Sequence, residues 1–135
     1  LNKGFSEKIK KGMAILDDKY FIGRVVEVNY FSSRVLLISD LNSKIPVVVE
    51  PKGYHAILSG TGKENPILDF LPKNHKIESG NIVYTSGKDG IFSSGIPIGQ
   101  TLLEDSQVIV SPFSDFNQLS YVSIDLNIST IDEGE

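Results

Sequence analysis

The segment Thr85–Gln100, TSGKDGIFSSGIPIGQ, places five glycines and prolines among sixteen residues, between apolar runs on either side. Glycine permits positive φ and close backbone approach, while Pro97 fixes φ and withdraws a donor. A stretch this rich in backbone-special residues is specified by shape, and it cannot be a regular helix. No nucleophile, general base or metal-ligand set is placed with comparable care elsewhere. The pattern points to an architectural β module rather than to an enzyme.

The rest of the chain agrees. Short runs rich in Val, Ile and Tyr predict strands at Met13–Leu16, Gly23–Val28, Val35–Ser39, Ile45–Glu50, Tyr54–Ser59, Ile67–Leu71, Asn81–Thr85, Ile98–Leu103, Val108–Val110 and Tyr121–Ile128. Turn clusters at Asp17-Asp18, Asn29–Ser33, Ser39–Ser43, Ser59–Asn65 and Ser86–Gly90 separate them. The last run has the clearest period of two, with Val122, Ile124, Leu126 and Ile128 on one face. Helix signals are confined to short stretches at Ser6–Lys11 and Ser114–Leu119. Many short strands with glycine-rich turns predict an all-β sandwich or barrel.

A loose internal repeat is also legible. Lys11-Gly12-Met13-Ala14-Ile15, Ile22-Gly23-Arg24-Val25 and Val35–Asp40 follow one another in the first half. Ser79-Gly80-Asn81-Ile82-Val83, Ile98-Gly99-Gln100-Thr101 and Val108–Asp115 do so in the second. Each copy reads as a glycine turn, a strand, an Ile-Gly-polar step and two further strands, which suits two related β units. Glycine at each Ile-Gly step, placed at a strand start, predicts a bulge or a close crossing by another strand.

Composition narrows the function. At 135 residues, with 40% hydrophobic and 22% charged residues, the chain supports one domain or two small barrels sharing an interface. A net charge of −4 argues against nucleic acid, and the Lys8, Lys10, Lys11 cluster has no interleaved aromatics. The absence of cysteine removes disulfides, thiolate metal sites and cysteine catalysis together. No apolar stretch approaches the roughly 18 residues that span a bilayer. Beginning at Leu1, the chain reads as part of a longer protein, any signal or anchor lying outside it.

Chemical motifs fail one by one. Ser59-Gly60-Thr61-Gly62-Lys63 lacks the first glycine of a phosphate loop and continues into Glu64, so it reads as a loop between strands. His55 and His75 lack the further ligands a zinc site needs. The carboxylates Asp17-Asp18, Glu104-Asp105 and Asp132–Glu135 read as turn and tail charges, since neighbours in a strand alternate faces. A double-barrel serine hydrolase would draw on His55 or His75, Asp40 or Asp89, and Ser86, Ser93 or Ser94, but the Gly-Asp-Ser-Gly context is missing. No catalytic, cofactor-binding or metal-binding residue is assigned.

Taken in order, these elements resemble the extracytoplasmic β-domain of the MreC family of rod-shape-determining proteins. The resemblance runs from about Gly4 to Val122. It is carried by Lys11-Gly12-Met13, Ile22–Val28, Ser32–Asp40, Ser43–Val47, Ile57–Gly62, Thr85–Gly87, Gly90–Phe92, Gly95–Gly99, Pro112 with Asp115, and Leu119–Val122. The position after Ile91-Phe92 is commonly proline in the family and is Ser93 here. The resemblance implies two packed six-stranded β-barrels, approximately 1–45 plus C-terminal strands and 46–95. It implies a non-catalytic scaffold of the bacterial cell-elongation complex, on the periplasmic or extracytoplasmic face and anchored to the cytoplasmic membrane by a segment outside this chain. It also implies self-association, dimers included, and binding to the elongation-specific penicillin-binding transpeptidase and other elongation membrane proteins. Tyr20, Phe21, Tyr30, Phe31, Phe92, Ile96 and Phe113 are the expected contact residues, as aromatic and apolar anchors near loops. Two other readings stand beside this one. They are a diverged double-barrel hydrolase, and a β-module that binds peptidoglycan or another saccharide in a groove lined by Tyr54, Tyr84 and Tyr121.

Overall fold

A computed structural model describes residues 11–29, 33–88, 93–115 and 123–125, and these are all strands and their connections. The strands are β1 (Ala14–Asp17), β2 (Tyr20–Val28), β3 (Ser33–Leu37), β4 (Lys44–Glu50), β5 (Tyr54–Ser59), β6 (Ile67–Asp69), β7 (Ile82–Thr85), β8 (Pro97–Glu104), β9 (Gln107–Pro112) and β10 (Ser123–Asp125). β4, β5, β6, β9, β8 and β7 close into a six-stranded antiparallel barrel. β10, β1, β2 and β3 form a four-stranded antiparallel sheet. One closed barrel beside a sheet thus stands where two barrels are expected. The barrel also extends past the expected 46–95 stretch, because β8 and β9 complete it. The candidate helical stretches at 6–11 and 114–119 lie largely outside the described residues, and Ser114 and Asp115, which are described, are not helical.

Alternation explains the barrel. In β4, Ile45, Val47 and Val49 point inward while Lys44, Pro46, Val48 and Glu50 point out, and Ala56, Leu58, Leu68, Val83, Val108 and Val110 fill the same interior. Burying each of the Val, Leu and Ile side chains among them contributes roughly 1.5–3 kcal/mol. Two interior positions are polar. Thr101 satisfies itself by donating its hydroxyl to the Glu78 carbonyl (2.6 Å) and accepting the Asn81 N–H (3.0 Å). Thr85 donates to the Ser93 carbonyl (2.8 Å) and accepts the Ile96 N–H (3.0 Å).

The internal repeat is a structural fact. β1–β2–β3 and β7–β8–β9 are antiparallel meanders whose registers match through Val25 and Thr101, after which β2–β3 carries a bulge between Val25 and Glu27 that β8–β9 lacks. Ile15 pairs with Gly23 and Val83 with Gly99; Gly23 then pairs with Leu37 and Gly99 with Pro112. Each first hairpin carries a bulge at the same place, which leaves Ile22 and Ile98 as the extra residues. Gly12 donates to Val25 and Val25 to Met13; Gly80 donates to Thr101 and Thr101 to Asn81. Ile22 and Ile98 accept from the N–H groups of Ile38 and Phe113, respectively, both at 3.0 Å.

The two Ile-Gly glycines lie inside their strands, not at the starts, because the bulge continues the ladder on both sides. A Cβ on Gly23 would lie 2.5 Å from the Leu36 carbonyl oxygen, and one on Gly99 would lie 2.3 Å from that of Ser111. Close approach by the neighbouring strand, as the sequence pattern predicts, is what requires glycine at both.

Sheet and barrel share a core. Ala14, Phe21 and Ile38 pack into the same buried cluster as the barrel residues, while Met13, Ile15, Ile22 and Val25 form a second cluster on the other side of the sheet. The connection from β3 to β4 is clamped on the β5–β6 loop. Gly60 donates to Ser43 (3.0 Å) and Gly62 to Ser39 (2.8 Å).

Candidate functional site

The structure brings two of the expected contact residues together. Tyr20 begins β2 and Phe113 follows β9, so one comes from the sheet and the other from the barrel. Their ring centroids lie 5.0 Å apart at 44°, a tilted arrangement typical of favourable aromatic pairs. Lys19 Nζ lies 5.7 Å from the centre of the Tyr20 ring. Phe113 keeps 36% of its surface exposed and Tyr20 is half-buried, so an aromatic pair crosses the junction of the two units with part of its area open to solvent.

Phe21 is not available for such a role. Successive strand residues face opposite ways, so Tyr20 turns outward and Phe21 becomes one of the largest fully buried side chains in the shared core. Ile96 is partly buried and packs against that core. Tyr30, Phe31 and Phe92 lie outside the described residues.

The hydrolase arrangement does not assemble among the described residues. His55 is exposed on the outside of β5, opposite Val48. His75 accepts the Ile77 N–H at Nδ1 (3.3 Å) and meets the Tyr54 ring edge-on at 6.2 Å. Asp40 uses Oδ1 to cap the Asn42 N–H (2.9 Å), a local turn contact. Neither histidine is hydrogen-bonded to a serine or an aspartate, and no group of three metal-binding side chains occurs among the described residues. The tyrosine groove does not form either. Tyr54 pairs with inward-facing Val49, packs against the barrel core and accepts the Lys76 N–H at its hydroxyl, whereas Tyr84 pairs with Val48 on the outside. Tyr121 lies outside the described residues.

One polar constellation was hidden from sequence reasoning. Lys44 Nζ donates to Ser59 Oγ (3.3 Å), which donates to Asp69 Oδ2 (2.6 Å). The three residues are far apart in the chain, and only the registers of β4, β5 and β6 unite them. With its proton committed to Asp69 and a cation on its oxygen, Ser59 is a structural tie across three strands rather than an activated nucleophile.

Open grooves complete the surface. One of about 420 Å³ lies between Ser39, Gly62–Asn65, Ser111, Pro112, Ser114 and Asp115, where Ser114 is buried with its hydroxyl unpartnered. Another of about 440 Å³ lies over Val48, His55 and Tyr84. A third, of about 310 Å³, runs beside Phe70 at one end of the barrel.

Fold and surface together define a β-barrel module built on a repeated meander, with a partly exposed aromatic pair and open grooves outside. The family described as "Rod shape-determining protein MreC, barrel core" matches residues 1–125. The chain belongs to that family, one of cell shape-determining proteins and not of enzymes. It is 34% identical over 125 residues to the cell shape-determining protein MreC of Cereibacter sphaeroides, covering 92% of this chain and 42% of that protein. The chain thus spans about two fifths of that relative's length. The crystal structure of MreC from Pseudomonas aeruginosa is 31% identical, with a TM-score of 0.82 over 91% of this chain and 84% of that one. MreC of Helicobacter pylori, solved as a complex with penicillin-binding protein PBP2, is 21% identical with a TM-score of 0.69, covering 82% of this chain and 74% of that one. This last likeness shows the fold alone.

Proposed function

We propose that this chain is the extracytoplasmic portion of a non-catalytic scaffold that maintains rod shape. In this reading it self-associates and binds the peptidoglycan transpeptidase of the cell-elongation complex, with other membrane proteins of that complex as further partners. It works on the periplasmic or outer face of the cytoplasmic membrane, held there by an anchor outside the 135 residues. The observation that carries the reading is family membership, alongside a relative of the same fold solved in complex with a penicillin-binding protein. The Tyr20–Phe113 pair is the contact surface we favour, since half-exposed aromatics held by a rigid frame make good interface anchors.

The same reading gives the four-stranded sheet a barrel of its own. Ile15, Ile22 and Val25, which match Val83, Ile98 and Thr101 of the closed barrel's interior, form the second core cluster. A second barrel built from residues up to about 43 and the C-terminal strand is the arrangement this supports.

The test is sedimentation of the chain with the soluble domain of its cognate elongation transpeptidase. A saturable heavier species is expected, and Tyr20→Ala with Phe113→Ala should weaken it at least about tenfold through the loss of both aromatic rings. No complex at about 100 μM, a concentration at which a Kd near 10 μM would be evident, removes the transpeptidase from the proposal.

A further inference from the structure

The glycine-rich segment Thr85–Gln100, which constrains the chain most, supplies one wall of a groove on the outside of the barrel. Thr85 holds the two limbs of this wall together. Its N–H donates to the Ile96 carbonyl (2.9 Å) and its carbonyl accepts the Gly95 N–H (2.8 Å), while its hydroxyl bridges the Ser93 carbonyl and the Ile96 N–H. The limbs are in close contact, since a Cβ on Gly87 would lie 2.9 Å from the Ser94 Cβ. Ser86 donates its N–H to the Pro46 carbonyl of β4 (3.2 Å). The wall is thereby fixed both to itself and to the sheet, and a site formed in advance loses little ordering entropy on binding.

The floor is one cross-strand row. Val48 of β4 pairs with His55 of β5 on one side and with Tyr84 of β7 on the other, and this row faces out. An imidazole and a phenol thus flank an aliphatic side chain beneath a space of about 440 Å³, within the roughly 300–1,000 Å³ of small-molecule sites. Polar groups stand around that floor. Glu50, the next outward residue of β4, brings a carboxylate, and Ser86 and Ser94 bring hydroxyls from the wall. The Ser86 oxygen accepts the Lys88 N–H (3.1 Å), which leaves its own proton to donate. The polar side-chain atoms of Glu50, His55 and Tyr84 bond to no other described residue.

This set of groups selects a ligand class. A carboxylate lines the groove and no lysine or arginine does, so phosphates and other anions are repelled. A peptide strand finds no edge, because β4, β5 and β7 each have a paired strand on both sides. A purely apolar ligand would strip water from Glu50 and replace none of its hydrogen bonds. An ammonium would satisfy Glu50 but offers the Ser86 hydroxyl no acceptor. A neutral ring with C–H faces for Tyr84 and Val48, and with hydroxyls at its edge to donate to Glu50 and accept from Ser86, meets every requirement. That is the chemistry of a pyranose. We propose that this groove binds a neutral saccharide, with Tyr84 as the stacking platform and Glu50 as the principal acceptor. The site shares no residue with the Tyr20–Phe113 pair, and it stands whether or not the transpeptidase binds there.

The experiment is an amide proton–nitrogen correlation NMR titration of the chain with cellotriose and with tri-N-acetylchitotriose. Each sugar is carried to about 10 mM, which nearly saturates a site with a Kd of about 1 mM. At least one of them should give saturable shifts centred on the amides of Val48, His55, Thr85 and Ser86. Tyr84→Ala should weaken binding at least about tenfold. Glu50→Gln changes only an exposed side chain, so the spectrum should keep its dispersion while binding weakens about fivefold. Unchanged affinity in a folded Glu50→Gln chain overturns the proposal. So does the absence of saturable shifts with both sugars, and so do shifts centred on another groove. Pentylammonium is titrated alongside, and tighter binding of that amine than of both sugars at the same amides overturns the assignment to a saccharide.

Discussion

Gly60→Ala should be among the most damaging single-methyl additions to this chain. The new Cβ would sit 1.8 Å from the Asp40 carbonyl oxygen, 2.6 Å from its carbon and 2.8 Å from the Ile38 oxygen. Every one of these atoms is backbone, so no side chain can rotate away. Reaching even the 3.0 Å floor of real Cβ contacts demands a retreat of about 1.2 Å by the segment that joins sheet to barrel. That segment is held by the bonds from Gly60 to Ser43, from Gly62 to Ser39 and from Ser43 to Asp40, at 3.0, 2.8 and 2.9 Å. Overpacking costs roughly 1–3 kcal/mol, and each bond stretched out of range about 1 kcal/mol more. A loss of about 3–5 kcal/mol follows, large against the 5–15 kcal/mol that domains of this kind possess. Thermal unfolding followed by circular dichroism should show a melting temperature lower by roughly 10–20 °C. Gly53→Ala is the control: its φ of +78° strains an alanine, but nothing lies within 4 Å of the new carbon, so it should cost only about 1–2 kcal/mol. If Gly60→Ala melts no lower than Gly53→Ala, the clamp between the two units is not as tight as the geometry states.

Further expectations concern other positions. Thr101→Val keeps the shape but removes both hydroxyl bonds, leaving the Asn81 N–H and the Glu78 carbonyl only their long 3.4 Å bond to each other; urea titration should show a loss of about 1–3 kcal/mol with an unchanged m-value. Asp18 and Asp105 both hold positive φ, 60° and 53°, in two-residue hairpin turns. Asp18→Gly and Asp105→Gly should each leave the melting temperature level or raise it by a few degrees, and a clear fall in either would point to a side-chain contact that outweighs the strain. Asp69→Asn should cost about 1 kcal/mol through the weaker bond to Ser59, and a double-mutant cycle with Ser59→Ala should show the two effects to be non-additive.

Much of the fold was legible in the sequence because alternation and turn chemistry are local. Tyr54–Ser59 is a strand end to end as the pattern predicts, and β4 and β7 differ from expectation by one residue. Where the boundaries moved, the reason lies in the backbone. β6 stops at Asp69 rather than Leu71 because Phe70 turns left-handed, and β2 and β8 begin before their glycines because a bulge does not end a strand. The repeat was visible as a rhythm of Ile-Gly steps, but its register emerged only from hydrogen bonds. Contact surfaces were the least legible. Nothing local distinguishes Tyr20, which turns outward, from Phe21, which fills the core, until the phase of β2 is known. The turn at Phe70 gave no signal at all, since an apolar residue following a strand reads as more strand.

The matched meanders have a consequence for how the chain reaches its native state. Two segments with the same first-hairpin bulge and nearly the same ladder are rivals: the middle strand of one meets compatible spacing in the outer strands of the other, so a nascent chain can in principle pair with the wrong copy. Proline breaks the likeness. Where the first copy has Phe21 and Leu37, the second has Pro97 and Pro112, and a proline has no N–H to offer a neighbouring strand. The twin halves are thereby made distinguishable in the strands that pair within each copy.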